Sequence, residues 1–164
     1  MSFNDIVATN DREPGGDSAS CRFRVDPIRR IRPRKEHHVA DASYPAELRY
    51  HEAHDWARID GDVATFGVTW HAQDALGDIV YYAGPEVGQT IKAGDGYGEL
   101  ESVKAVSDII APLGGEVLEV NQSVVESPEA VNDDPYGAWL VKVKLADPAE
   151  ADSLLDAEAY QALI

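Results

Sequence analysis

The chain has 164 residues, one cysteine and a formal net charge of −16 at pH 7, and this charge is unevenly placed. Residues 1–43 carry 8 Lys and Arg against 7 Asp and Glu, whereas residues 44–164 carry 6 against 23, a net charge of −17. Such a field repels phosphate backbones and anionic lipid surfaces, so we expect no nucleic-acid or membrane binding by the acidic part. The same charge would steer encounter with basic patches on partner proteins, and it would equally serve solubility.

The single cysteine, Cys21, has no mate, which excludes an internal disulfide and a CxxC redox pair. We therefore expect a reducing compartment, and the bacterial cytoplasm rather than the mitochondrial matrix, because transit peptides are poor in the acidic residues that residues 1–43 contain. No run approaches the roughly 18 apolar residues of a membrane span. The histidines lack the spacing of metal ligands, so no metal site is expected. They include His37, His38, His51 and His54.

Residues 1–43 are rich in Asp, Arg, Ser, Gly and Pro and lack hydrophobic periodicity, which predicts a disordered N-terminal extension. Three interpretations stay open for it: a targeting peptide, a docking arm, which could fold back on the acidic domain, and an extension upstream of the functional start. The extension contains a basic cluster made of Arg22, Arg24, Arg29, Arg30, Arg32, Arg34 and Lys35.

From Leu48 onward, short apolar runs alternate with turn signals, which is typical of an all-β domain. Asp60-Gly61 predicts a hairpin turn, and Thr69 predicts the cap of a short helix that ends at Gly77. We expect residues 44–164 to form one domain of this class. Strands are predicted over residues 48–50, 55–59, 62–67, 78–83, 89–92, 97–102, 106–110, 115–121, 124–125 and 138–144.

The hydrophobic period changes near the C-terminus. Asp147 is followed by proline at the first helical position and by Glu150 three residues after the cap, as in a capping box. Asp156 could begin another helix that carries Tyr160. The pattern predicts two short helices that pack on the β core.

Lys104 stands at the tip of a predicted β-hairpin. Strand-like residues on either side are bracketed by the turn-forming clusters Gly94-Asp95-Gly96 and Pro112-Leu113-Gly114-Gly115. A tight hairpin holds its tip rigidly and exposes it, which suits a primary amine that a modifying enzyme must reach. An ordinary exposed lysine is the alternative interpretation, because lysines are common at such positions.

Segments on both sides of Lys104 resemble, in chain order, the H-protein family of the glycine cleavage system. The similarity extends from about Tyr44 to the C-terminus. In the hairpin the matching residues are Glu101-Ser102-Val103-Lys104-Ala105, followed by Ser107-Asp108. Elsewhere they include Leu48-Arg49-Tyr50, His54-Asp55-Trp56, Gly67-Val68-Thr69, residues 72–81, Pro85-Glu86-Val87-Gly88, Val131-Asn132 and Asp134-Pro135-Tyr136-Gly137.

This resemblance implies a lipoyl-type fold, a flattened barrel-like sandwich of two antiparallel sheets with short peripheral and C-terminal helices. It also implies that Lys104 carries lipoic acid in an amide bond, placed by lipoate-attaching enzymes that recognise the flanking residues Glu101, Ser102, Val103 and Ala105. In this family the lipoyl-lysine side chain acts as a mobile arm. It takes an aminomethyl group from a pyridoxal-phosphate-dependent glycine decarboxylase (P protein) to a tetrahydrofolate-dependent aminomethyltransferase (T protein). Dihydrolipoamide dehydrogenase (L protein) then reoxidises it. The chain is thus expected to be a carrier and not an enzyme.

The resemblance further implies a cleft on the carrier that shelters the loaded arm from water. Its candidate walls are Leu48, His54, Asp55 and residues 72–76, and Asp55 would contact the amine. His54 and Trp56 could equally be core or strand-edge residues.

The chain departs from the family pattern at Asp55, where a glutamate is usual, and at Ala138, where a glycine is usual. Three alternatives remain: an H-like protein that relays lipoyl groups to other acceptors, a lipoyl or biotinyl carrier of another complex, and an unmodified interaction module. Biotin carriers usually have Met-Lys-Met, whereas Val103 and Ala105 flank the lysine here.

Overall fold

A computed structural model describes residues 43–164, which fold mainly into short antiparallel strands. The strands of this part of the chain are β1 (Arg49–Tyr50), β2 (Asp55–Asp60), β3 (Val63–Val68), β4 (Ile79–Ala83), β5 (Thr90–Ile91), β6 (Gly96–Ser102), β7 (Val106–Ile110), β8 (Gly115–Val120) and β9 (Val141–Leu145). Strands β1, β2, β3, β9, β8 and β5 form one sheet in that order, and β4, β6 and β7 form a second. The predicted fold class, two antiparallel sheets, is confirmed.

Short helices join and flank the strands. Thr69 caps the first by accepting the N–H of Ala72 at 3.3 Å, and Gly77 ends it at φ 79°, a conformation that favours glycine. The helix predicted between Thr69 and Gly77 is therefore confirmed. The helices are α1 (Trp70–Leu76), α2 (Gln122–Glu126), α3 (Ala130–Asp133) and α4 (Ala157–Gln161), with a 3₁₀ helix over Pro148–Ser153.

The larger apolar core joins side chains from both sheets. Phe66 of the six-stranded sheet and Tyr82, Leu100 and Ile109 of the three-stranded sheet are each at most 2% exposed. Burial of so much apolar surface is the main stabilising contribution to a domain of this size. The core anchors β6 and β7, the two strands that carry Lys104 at their connecting turn.

A smaller cluster attaches the C-terminal segment to β1. Tyr50 and Leu155 exchange two backbone hydrogen bonds of 2.8 Å, and the rings of Tyr50 and Tyr160 stack with centroids 4.9 Å apart. Tyr160 is fully buried as a result. The members of the cluster are Leu48, Tyr50, Trp56, Ala157 and Tyr160.

One strand prediction was wrong, and another was right except for its first residues. Residues 124–125 lie in α2, because Asn121 caps that helix by accepting the N–H of Ser123 at 3.1 Å. The strand predicted over 138–144 begins only at Val141. Before it, Asp134 accepts the N–H groups of Tyr136 and Gly137 and holds the chain in a turn.

The predicted capping box at Asp147 was only half right. The Asp147 carboxylate accepts the N–H of Ala149 at 2.9 Å, as a cap should. Glu150, however, accepts the N–H of Gly114 at 2.9 Å and so links the C-terminal segment to the start of β8. The first of the two predicted C-terminal helices is a 3₁₀ helix, and the second is α4.

Candidate functional site

Lys104 lies in the turn that joins β6 to β7. Glu101 and Val106 form the last pair between β6 and β7, so these strands are joined by residues 102–105, of which Ser102 is also the last residue of β6. Val103, Lys104 and Ala105 are all exposed to solvent. The turn thus presents a primary amine between two small or branched apolar neighbours.

The hydroxyl of Ser102 organises this turn. It donates to the carbonyl of Ala105 at 3.2 Å and accepts the N–H groups of Lys104 and Ala105 at 3.3 and 3.1 Å. The N–H of Ser102 also donates to the Ala105 carbonyl at 2.7 Å. Side-chain hydrogen bonds of this local kind favour turns, so Ser102 contributes directly to the geometry in which Lys104 is presented.

The turn is also tied to the neighbouring strand and helix. Val103 donates its N–H to the carbonyl of Asp78 at 3.1 Å. One residue later, the N–H of Ile79 donates to the Asn132 side chain at 2.8 Å, and that amide in turn donates to Gln73 at 2.8 Å and to the carbonyl of Gly77 at 2.9 Å. Asn132 therefore braces the segment on which the lysine turn rests. The sequence marks Asn132 only as part of a family segment, since no local pattern indicates partners more than 50 residues away.

The outer face of the smaller sheet places apolar and acidic side chains beside the lysine turn. Tyr81, Glu101 and Val106 stand opposite one another across the three strands, and directly opposed residues share a face. Tyr81 is 51% and Val106 61% exposed, and Val103 in the turn is 77% exposed. Exposed apolar side chains grouped in this way are characteristic of contact surfaces.

A cavity of about 30 Å³ lies between α1 and β7. It brings together His54 and Asp55 with Ala72 and Leu76, which are four of the predicted cleft residues. Leu48 does not line this cavity and is fully buried in the smaller apolar cluster. Ser107 and Asp108 of β7 also line it, and we had not predicted that they would. The sequence feature that could have indicated this is their position on β7, three and four residues after Lys104.

Asp55 is a buried carboxyl with one free oxygen. The side chain is 2% exposed, and its Oδ2 accepts the N–H of Ile110 at 3.3 Å. Its Oδ1 has no hydrogen-bond partner among residues 43–164, and the same holds for the hydroxyl of Tyr97. Burial raises the pKa of Asp55 well above its ordinary value, although the Ile110 bond opposes this. An unpaired buried oxygen of this kind is ready to meet a hydrogen-bond donor.

His54 forms another part of the cavity wall and has an unusual backbone conformation, with φ 73°. Its Nδ1 lies 2.8 Å from the hydroxyl of Tyr160, and its ring lies 4.5 Å from the ring of His71. Burial and then the proximity of His71 lower the pKa of His54. The sequence predicts Tyr160 only as a residue of the last helix, and no local pattern indicates its contact with His54.

Comparison with known proteins identifies the family. The family model described as glycine cleavage H-protein matches residues 48–164. The chain belongs to this family. A glycine cleavage system H protein from Laribacter hongkongensis is 57% identical over 122 residues, 73% of this chain and 96% of that protein. Glycine cleavage system H protein 2 from Pseudomonas putida is 54% identical over 124 residues, 75% of this chain and 98% of that protein.

The fold of the H-protein family has also been observed experimentally in a relative. A crystal structure of a glycine cleavage system H protein from Mycobacterium marinum is 41% identical and aligns with a TM-score of 0.67. The alignment covers 73% of this chain and 97% of that one. The lipoyl-type sandwich that the resemblance implied is therefore confirmed.

Two further observations concern residues 43–164. No helix in this range has the length and apolar character needed to cross a membrane. No group of three or more His, Cys, Asp and Glu residues in the same range is arranged to hold a metal ion. Cys21, the basic cluster and His37-His38 lie outside the described residues, so the predictions for the extension stay predictions.

Proposed function

We propose that Lys104 carries a lipoyl group in an amide bond and that the chain is the aminomethyl carrier of a glycine cleavage system. The observation that carries this proposal is the position of Lys104: the lysine of the family segment lies exposed in a turn held by Ser102 and braced by Asn132. A carrier needs an accessible amine on a backbone that presents it in one geometry. The turn meets both requirements.

The residues around Lys104 fit an attached acyl arm. The lysine has open solvent on one side, and on the other its aliphatic part lies against Gly77, which has no side chain to obstruct it. Amide formation would remove the positive charge and leave a neutral tether. When bound, the lipoyl group supplies a disulfide that can be reduced and reoxidised while a one-carbon amine is moved between enzymes.

We further propose that the cavity beside β7 is the closed mouth of the cleft that shelters the arm. His54, Asp55, Ala72 and Leu76 form its walls, together with Asp108 on the strand that leaves the lysine turn. The free Oδ1 of Asp55 would accept a hydrogen bond from an amino group. A volume of about 30 Å³ holds only about one water molecule, so α1 and β7 would separate for the arm to enter.

The surroundings of Lys104 also fit the proposed partners. These are glycine decarboxylase, aminomethyltransferase, dihydrolipoamide dehydrogenase and the lipoate-attaching enzymes, all of which must approach the same turn. Val103, Val106 and Tyr81 offer apolar contact area, and Glu101 offers charge for a basic rim on each partner. We propose a cytoplasmic location and no catalytic function of the chain's own.

Intact-mass and peptide mass spectrometry of protein from a lipoate-competent host tests the modification. We expect one lipoyl increment on the peptide that contains Lys104, none in Lys104→Arg, and the full increment in the control Lys92→Arg, which changes another exposed lysine. Wild-type protein without the increment would overturn the proposal. Reconstitution with the three partner enzymes tests the role, because a modified protein that fails to support glycine decarboxylation would instead favour the lipoyl relay.

A further inference from the structure

A chain of hydrogen bonds links the C-terminal helix to the proposed cleft. The hydroxyl of Tyr160 lies 2.8 Å from Nδ1 of His54 and 2.9 Å from Oγ1 of Thr69. Thr69 Oγ1 also accepts the N–H of Ala72 at 3.3 Å. Thr69 and Tyr160 are both fully buried, so water does not complete their hydrogen bonding.

The direction of these bonds follows from counting protons. A hydroxyl donates one hydrogen bond, and a buried donor without an acceptor is costly. Among the described residues, the oxygen of Tyr160 is the acceptor within reach of the Thr69 hydroxyl, so Thr69 donates to Tyr160. Tyr160 then donates its own proton to Nδ1 of His54. The opposite direction would leave the Thr69 proton without a partner.

We propose that Tyr160 and Thr69 are positioning residues that hold His54 as the neutral tautomer with its proton on Nε2. In this arrangement Nδ1 is occupied as an acceptor. With a proton on Nδ1, His54 would donate to Tyr160, and the hydroxyl proton of either Tyr160 or Thr69 would then lack an acceptor. The hydrogen bonds from Thr69 to Tyr160 and from Tyr160 to His54 therefore oppose the charged form of His54.

The other titratable groups around His54 either also oppose its protonation or affect it only weakly. His71 approaches within 4.5 Å between ring centroids, and two imidazolium rings at that separation would repel each other. Asp55 favours its neutral form because it is buried, so it offers little compensation. Asp108 and Glu52 are exposed, and solvent screens them. The titratable neighbours are His71 on α1, Tyr160 on α4, Asp55 on β2, Asp108 on β7, and His51 and Glu52 in the preceding loop.

The consequence for the carrier rests on the proposed function. A cleft that receives an amino group, which is cationic in water, is impaired by a second positive charge in its wall. A neutral His54 keeps the wall free of that charge and leaves the Asp55 carboxyl as the partner for the amine. Tyr160 would thus prepare the cleft from a helix that does not itself line the cavity.

Long-range ¹H–¹⁵N NMR of the unmodified full-length protein tests this directly. We expect the Nε2–H pattern for His54 in the wild type and in Thr69→Ser, which keeps the hydroxyl. In Tyr160→Phe, which keeps the stacked ring, and in Thr69→Val, the titration midpoint of His54 should rise toward the value of about 6.5 for an ordinary histidine. The tautomer preference should weaken in both.

Two results would overturn the proposal: a proton on Nδ1 of His54 in the neutral wild type, or an unchanged midpoint in both Tyr160→Phe and Thr69→Val. Near-ultraviolet circular dichroism establishes that each variant is folded, and Thr69→Val provides the second test if Tyr160→Phe is not. Because the protein is unmodified, the outcome is independent of whether Lys104 becomes lipoylated. A result against the proposed role of Tyr160 and Thr69 is therefore distinguishable from a result against the carrier function.

Discussion

The side chain of Lys104 lies against Gly77, the residue that ends α1. A Cβ atom at Gly77 would stand 3.5 Å from Cε and 3.8 Å from Nζ of the lysine. The same glycine donates its N–H to Gln73 and accepts a hydrogen bond from Asn132. Gly77 thus ends α1, accepts a hydrogen bond from Asn132 and leaves room for the proposed lipoyl arm.

Gly77→Ala should both destabilise the protein and slow lipoyl attachment. An alanine at φ 79° is strained by about 1–3 kcal/mol, and its methyl group would lie in van der Waals contact with the end of the Lys104 side chain. Gly88→Ala is the matched control, since Gly88 has φ 87° and open space around it. Urea denaturation should show a loss of stability in both, while attachment, followed by mass spectrometry, should slow only in Gly77→Ala. Equal rates would show that the contact with Lys104 is unimportant.

Ser102→Ala should loosen the lysine turn. The hydroxyl makes three hydrogen bonds within four residues, and because the site is largely exposed we expect a loss of about 0.5–1.5 kcal/mol in the free energy of unfolding. Lipoyl attachment at a limiting concentration of the lipoate-attaching enzyme should slow more in Ser102→Ala than in the control Ser107→Ala. The Ser107 hydroxyl makes a single bond, to the adjacent Asp108 carbonyl. The prediction is wrong if the two variants are modified at the same rate.

Asn132→Ala should be among the more destabilising changes near the site. The substitution leaves the N–H of Ile79, a residue 2% exposed, without its acceptor and removes two further hydrogen bonds. We expect a loss of about 2–4 kcal/mol in the free energy of unfolding. Attachment at Lys104 should slow as the support of the turn weakens. Asn121→Ala removes the cap on α2 and a bond to the carbonyl of Trp139, neither of which involves the lysine turn, so it should cost about 1–2 kcal/mol and leave attachment unchanged. A stable, normally modified Asn132→Ala protein would contradict this.

Asp55→Asn should be more stable than the wild type at neutral pH. Burial raises the folded pKa of Asp55 above its unfolded value, so the wild type loses stability as pH rises from about 4 through the folded pKa. The asparagine variant lacks that loss, and the stability difference should therefore grow with pH in this window. Urea denaturation at several pH values measures it, with the exposed Asp60→Asn as control. A difference that does not change with pH would mean that Asp55 ionises normally.

Much of the architecture was predictable because its signals are local. The alternation of apolar residues and the turn residues around Lys104 predicted β6 and β7 closely, and Thr69 with Gly77 predicted α1. The same reasoning failed at residues 124–125, where two valines suggested a strand. There Asn121 caps a helix that buries Val124, so the capping interaction outweighed the strand preference of valine.

By itself the sequence determined that this chain is an acidic β domain of the H-protein family, with one lysine at a hairpin tip. These properties depend on composition, periodicity and segment order, which are all written along the chain. Only the tertiary structure decided that Asn132 braces the turn, that Leu48 lies away from the cavity and that Tyr160 contacts His54 from 106 residues away. Such contacts depend on how sheets and helices pack, and no local preference encodes them.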